Sequence, residues 1–128
     1  VPEKPDVIYI EQVVAGEVQV HEVPIENVEL VWNIIKRYPI GKKVSCRTIA
    51  EHICRELNLK RFFKPSGRFS WELFFGKRRE YHQYYYYPIK VLQVLDAINY
   101  YKDGKIARKR EKLHIATLFK EKEITIFE

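Results

Sequence analysis

Between Ser45 and Leu57 the apolar residues keep one spacing: Cys46, Ile49, Ala50, Ile53 and Leu57 stand at i, i+3, i+4, i+7 and i+11. That period places all five on one face of an α-helix, whereas on a strand they would divide between two faces. Ser45 can cap the helix by accepting a hydrogen bond from a first-turn N–H. A helix with so marked a stripe demands a second layer to bury it. Both cysteines of the chain belong to this helix, Cys46 on the stripe and Cys54 at its margin. Eight residues of helical rise separate them by about 12 Å, which argues against a disulfide. With no second Cys-x-x-Cys and no paired histidines, they read as small core groups and not as metal ligands.

The layers on either side follow from the same periodicity. Residues 7–14 and 17–23 are rich in β-branched side chains, and the second run alternates apolar with polar about Ala15-Gly16. This predicts an N-terminal β-hairpin with one face packed and one wet. Pro24 stops its second strand, and Asn27 is the expected cap of a helix carrying Val28, Val31, Trp32 and Ile35 up to Tyr38-Pro39. Pro65 and Gly67 mark residues 60–69 as a loop. A third helix is expected from Ser70 through Trp71, Phe74, Phe75 and Arg78 toward Tyr81, weakened by Gly76 by about 1 kcal/mol. Pro88 then either opens a fresh helix through Ile89, Leu92 and Leu95 or kinks a single long one. Asp103-Gly104, between Ile98–Lys102 and Lys105–Arg110, is a hairpin signal of the type I′ kind. Leu113–Phe119 and Glu123–Phe127 are C-terminal strand candidates.

Charge is segregated along the chain. Residues 1–35 hold one basic and seven acidic side chains, residues 36–110 hold 19 and 6, and residues 111–128 hold three and four. The formal net charge of +6 therefore resides in the middle, where it attracts polyanions. The scarcity of Asn and Gln also fits the solvated Lys/Glu-rich surface of a thermophilic protein. No apolar run approaches the roughly 20 residues that span a bilayer, and Val1-Pro2-Glu3-Lys4-Pro5-Asp6 lacks the apolar stretch of a signal peptide. The expectation is a cytoplasmic protein without membrane contact. With 46% hydrophobic residues the 128-residue chain can build a core without staples, as one domain.

The order helix, extended link (Gly41–Val44), Ser-capped helix, further helix and basic Asp-Gly hairpin resembles the winged helix-turn-helix superfamily over residues 25–110. Val44-Ser45-Cys46-Arg47-Thr48-Ile49-Ala50-Glu51 looks like the entry to its second helix. Val91-Leu92-Gln93-Val94-Leu95-Asp96-Ala97-Ile98-Asn99-Tyr100 looks like the passage from third helix to wing. The fold so implied is α+β, with residues 1–24 as an added hairpin and residues 111–128 as C-terminal strands. About thirty residues lie between Asn58 and Pro88, where the superfamily commonly has a short turn. The recognition helix is accordingly either Ser70–His82, with Lys77, Arg78 and Arg79, or the later helix with Lys90.

Eleven of the eighteen aromatic residues lie between Phe62 and Tyr87, among Lys64, Arg68, Lys77, Arg78 and Arg79. Guanidinium groups engage phosphate or guanine edges bidentately, and phenols donate to phosphates. Trp71, Phe74 and Phe75 read as core, while the run Tyr84–Tyr87 cannot all face inward. The expected DNA-binding set is Lys64, Arg68, Lys77, Arg78, Arg79, Tyr81, His82, Tyr84 and Lys90, joined on the wing by Lys105, Arg108, Lys109 and Arg110. Like charges at the wing's density favour a neutralising anion. The expected partner is double-stranded DNA, bound by a transcriptional regulator that could act as a homodimer. Two other classes fit less well: an interaction module with an aromatic dimer interface, and a nuclease using Glu72, Glu80 and Asp96 as metal-binding carboxylates. No phosphate loop, nucleophile elbow or paired-histidine motif is present, so no enzyme, cofactor or metal is expected.

Overall fold

A computed structural model of the chain describes residues 7–59, 71–113 and 123–127. β1 (Val7–Val14) and β2 (Glu17–Pro24) form an antiparallel hairpin in unbroken register from Val7 opposite Pro24 to Val14 opposite Glu17. Ala15 and Gly16 both take positive φ, 51° and 81°, the two-residue turn whose twist matches the strands. β6 (Glu123–Phe127) lies parallel to β1 on its other side, so β1 is the middle one of the three described strands of this mixed sheet. The other expected C-terminal strand, 113–119, falls beyond Leu113 outside the described residues.

α1 (Ile25–Ile35) starts directly after Pro24 and ends before Tyr38. Asn27 is therefore not its cap. It lies inside the first turn and is buried, because the proline that ends β2 already turns the chain into the helix.

The Ser45 cap and the helix behind it are present as expected: Ser45 Oγ accepts from Thr48 N–H at 3.2 Å, between β3 (Lys43–Ser45) and α2 (Cys46–Glu56). Ile49, Ala50 and Ile53 are wholly buried; each isoleucine contributes about 1.5–3 kcal/mol by that burial. The stripe is turned slightly from its expected centre, since Cys54 is fully buried and Cys46 only half. The Cys54 thiol donates to the Phe74 carbonyl at 3.1 Å and so ties α2 to the next helix.

The expected third helix is interrupted. α3 (Trp71–Phe75) stops at Gly76, whose φ of 78° is the left-handed conformation that ends helices, and α4 (Arg78–Tyr81) begins two residues later. Beyond Tyr81 the helix does not restart at Pro88. It continues through a π turn (His82–Tyr86) into α5 (Tyr87–Val94), giving one helical path from Arg78 to Val94.

β4 (Ile98–Tyr100) and β5 (Lys105–Arg108) pair with β3 in the antiparallel order β3-β5-β4. Their turn differs from the expected type I′. Gly104 has positive φ and Asp103 does not; Gly104 N–H bonds the Tyr101 carbonyl at 3.0 Å, a tight turn followed by a left-handed glycine. The fold is α+β. Ile8, Ile10 and Val23 from the hairpin join Val28, Val31 and Ile34 of α1, Phe75, Val91 and Leu92, and Ile98 and Ile106 in one buried cluster. Among the described residues no helix is long and apolar enough to cross a membrane.

Candidate nucleic-acid interface

The Arg78–Val94 path, hereafter the third helix, joins the end of the first recognition candidate, Ser70–His82, to the later helix with Lys90 and leaves α3 outside it; its π turn has a physical cause. Tyr87 N–H bonds the His82 carbonyl, five residues back. In that register the next donor would be residue 88, a proline with no N–H. The Gln83 carbonyl is thus left without a backbone donor inside the helix. Asn27 Nδ2 of α1 donates to it at 3.0 Å, and Gln83 Nε2 donates to the Glu22 carbonyl of β2 at 3.2 Å. His21 of β2 stacks on Tyr87 at 4.9 Å between centroids. The third helix is therefore held by both the hairpin and α1 at the turn where its own ladder changes.

Lys77, Arg78 and Arg79 stand at the start of this helix, all exposed. Arg78 lies 6.0 Å from the Trp71 ring, and none of the three has an acidic partner among the described residues. Three cations around the first turn oppose the helix dipole, which favours anions there by about 0.3–1 kcal/mol each. Lys90 is eleven residues beyond Arg79, half-buried, with its ammonium 5.6 Å from the Tyr86 ring centre.

The β4-β5 hairpin and its exit are electrostatically different from what the sequence implies. Lys109 is hydrogen-bonded to Asp96, and Arg110 lies 4.0 Å from the same carboxylate. Lys105 is 4.0 Å from Asp103, and Arg108 donates to the Glu111 carbonyl at 3.3 Å. The expected crowd of uncompensated like charges is in fact partly neutralised from within. Asp96 occupies a left-handed position, φ 59°, just after α5, where Ala97 N–H reaches back to the Leu92 carbonyl and Asp96 N–H to that of Gln93. The ammonium of Lys109 holds the exposed Asp96 carboxyl below its ordinary value.

None of the described rings between Trp71 and Tyr87 is fully exposed. Phe74, Phe75, Tyr85 and Tyr87 are buried, while Trp71, Tyr81, His82, Tyr84 and Tyr86 are half-buried. Tyr81 stacks on Tyr85 at 5.5 Å, and the His82 ring packs within 5.2–5.4 Å of Tyr81, Tyr86 and Tyr87. Tyr81 and His82 thus belong to a packed ring cluster, and the aromatic surface offered to a partner is smaller than the sequence implies. Burial raises the phenol pKa of Tyr85 strongly, and those of Tyr81 and Tyr100 as well. A recess of about 100 Å³ opens where Tyr81 and Tyr86 face Lys90 and Tyr100 of β4. Lys64 and Arg68 lie outside the described residues.

Compared with known proteins, the chain matches no family model, no curated protein and no solved structure.

A concavity of about 550 Å³ lies between the start of α1, the end of α2 and the third helix. Pro24, Leu30, Leu57 and Tyr84 give it apolar walls, and Glu26, Arg79 and Glu80 supply charge. Sequence reading missed Leu30, which falls off the apolar stripe of α1, and took Leu57 only as the last residue of the α2 stripe; their meeting in space is what makes a wall. Asn27 was recognised as a local cap when its partner lies 56 residues away. Glu72 is exposed, Glu80 lines the cleft and Asp96 is engaged by Lys109. Among the described residues no three His, Cys, Asp or Glu side chains gather in a metal-holding group.

Proposed function

We propose that the protein binds double-stranded DNA as a winged helix-turn-helix regulator, with Arg78–Val94 as recognition helix and the β4-β5 hairpin as wing. The observation that carries the reading is the exposed trio Lys77, Arg78 and Arg79 at the N-terminal end of the third helix. In helix-turn-helix proteins the N-terminal residues of the recognition helix contact base edges. Cations in that first turn work against the helix dipole, so their placement is accounted for by an external anion better than by folding. The element order α1, β3, α2, third helix, β4, β5 and the sheet order β3-β5-β4 support the winged arrangement. On this reading Lys105 and Arg108 add wing contacts to phosphate, while Asp96 holds Lys109 and Arg110 in reserve. Tyr84 and Lys90 contribute at the flanks of the helix, and Tyr81 and His82 shape it from within.

Fluorescence anisotropy with labelled duplex and single-stranded DNA of random sequence tests the class of ligand. Duplex binding that weakens steeply with salt, and is tighter than single-strand binding, is expected. Equal or tighter binding to single strands would replace the groove reading with one based on stacking on Tyr84 and Tyr100. Salt-insensitive behaviour toward both would overturn nucleic-acid binding itself.

A further inference from the structure

Edge strands in natural proteins are blunted by lysine, proline, bulges or cover, because a bare edge pairs with whatever strand it meets. Among the described residues β2 is an edge of the β2-β1-β6 sheet, and from Val18 to Val20 it carries no charge, proline, bulge or cover. Its register with β1 is regular, with no bulge, and Val18 and Val20 are 61% and 58% exposed on the same face. The turn at Ala15-Gly16 makes Val14 and Glu17 the first hydrogen-bonded pair. Along β2 the N–H and C=O groups of Val18, Val20 and Glu22 therefore point away from β1. Of these outward groups the Glu22 carbonyl is taken by Gln83 Nε2. The open edge is thus short and defined: the backbone groups of Val18 and Val20.

We propose that β2 pairs antiparallel with β2 of a second copy of this chain, about a two-fold axis at Gln19, joining the described strands β2, β1 and β6 of both copies into one sheet. Only this register sets the open groups of Val18 against those of Val20 on both sides, for four backbone hydrogen bonds. A register centred on Val20 would need the Glu22 groups, and one centred on Val18 would reach past the strand into the turn. The side chains are self-complementary in the same register. Val18 faces the partner's Val20 on one side of the sheet; on the other, Gln19 faces Gln19 of the partner subunit and Glu17 faces the partner's His21. Cross-strand pairs of these kinds favour association. The pairing is independent of DNA binding, and it would give a DNA-binding dimer two-fold symmetric half-sites.

The test is sedimentation equilibrium of the full chain across its soluble concentration range, with two kinds of variant. Val20→Pro removes an outward N–H without removing a bond to β1, and is expected to weaken self-association by about a hundredfold while the circular dichroism spectrum is kept. Should that variant unfold, Val18→Lys with Val20→Lys is expected to give the same weakening. Gln19→Cys places two cysteines at a close non-hydrogen-bonded pair and is expected to form a disulfide-linked dimer under mild oxidation. Glu17→Cys should remain at the wild-type background set by Cys46 and Cys54. A wild-type chain monomeric at every concentration, a dimer indifferent to these edge substitutions, or cross-linking no better at Gln19 than at Glu17 would each overturn the proposal.

Discussion

Asp96 performs two tasks that pull in opposite directions. As the residue after α5 it must adopt positive φ, where glycine or asparagine serves as well, and an acidic group near a helix C-terminus is disfavoured by the dipole. Its compensation is the contact with Lys109 and Arg110. Because that contact lowers the Asp96 pKa, the carboxyl stays ionised in the folded protein down to below its ordinary value of 3.8. The stabilisation from this group is present above that pH and lost as pH falls through the lower folded value. Asp96→Asn retains the backbone conformation and frees both cations. It should tighten duplex binding and steepen its dependence on log salt concentration by about 1–2, measured by anisotropy; unchanged slopes would show that Lys109 and Arg110 do not reach phosphate. Asn27 is the other decisive single residue. Asn27→Leu leaves the Gln83 carbonyl unpaired in a partly buried site and should cost about 1–3 kcal/mol in urea unfolding.

At the scale of elements, the π turn explains why the stretch before Pro88 was hard to read. Helical periodicity assumes one constant angle per residue, and a single wide turn shifts every later side chain relative to that frame. Tyr85 and Tyr87 could therefore both be buried while Tyr84 and Tyr86 are half-exposed. By contrast α2 was legible, since its cap, stripe and ending are all local, and so were the two hairpins. The cleft and the Asp96 contacts were not, because both join residues far apart in sequence. The origin assigned to the π turn makes a double-mutant prediction. Pro88→Ala restores an N–H that can serve the Gln83 carbonyl, so Asn27→Ala should cost measurably less in that background, with a coupling of about 0.5–3 kcal/mol. Additive effects would contradict the explanation. The ring cluster adds a pH dependence. Tyr81, Tyr85 and Tyr100 have folded pKa values above the ordinary 10.0, so their contribution is complete below pH 10 and declines as pH rises beyond it. The melting temperature should fall above pH 10 in step with tyrosinate absorbance, and Tyr85→Phe should blunt that fall.

For the molecule as a whole, the segregation of charge visible in the sequence takes a more selective form in space. The basic residues of the β4-β5 hairpin and its exit are partly engaged by Asp96, Asp103 and the Glu111 carbonyl, whereas Lys77, Arg78 and Arg79 remain exposed where the third helix begins. The central claim is that these three side chains meet phosphates or bases of a duplex. The most direct measurement is the slope of log binding constant against log salt for the wild-type chain and for Lys77→Ala/Arg78→Ala/Arg79→Ala. Relieving the helix dipole should leave the variant at least as stable as the wild type, while its slope becomes shallower by about 2–3. A stable variant that binds duplex DNA with the wild-type slope would contradict the account.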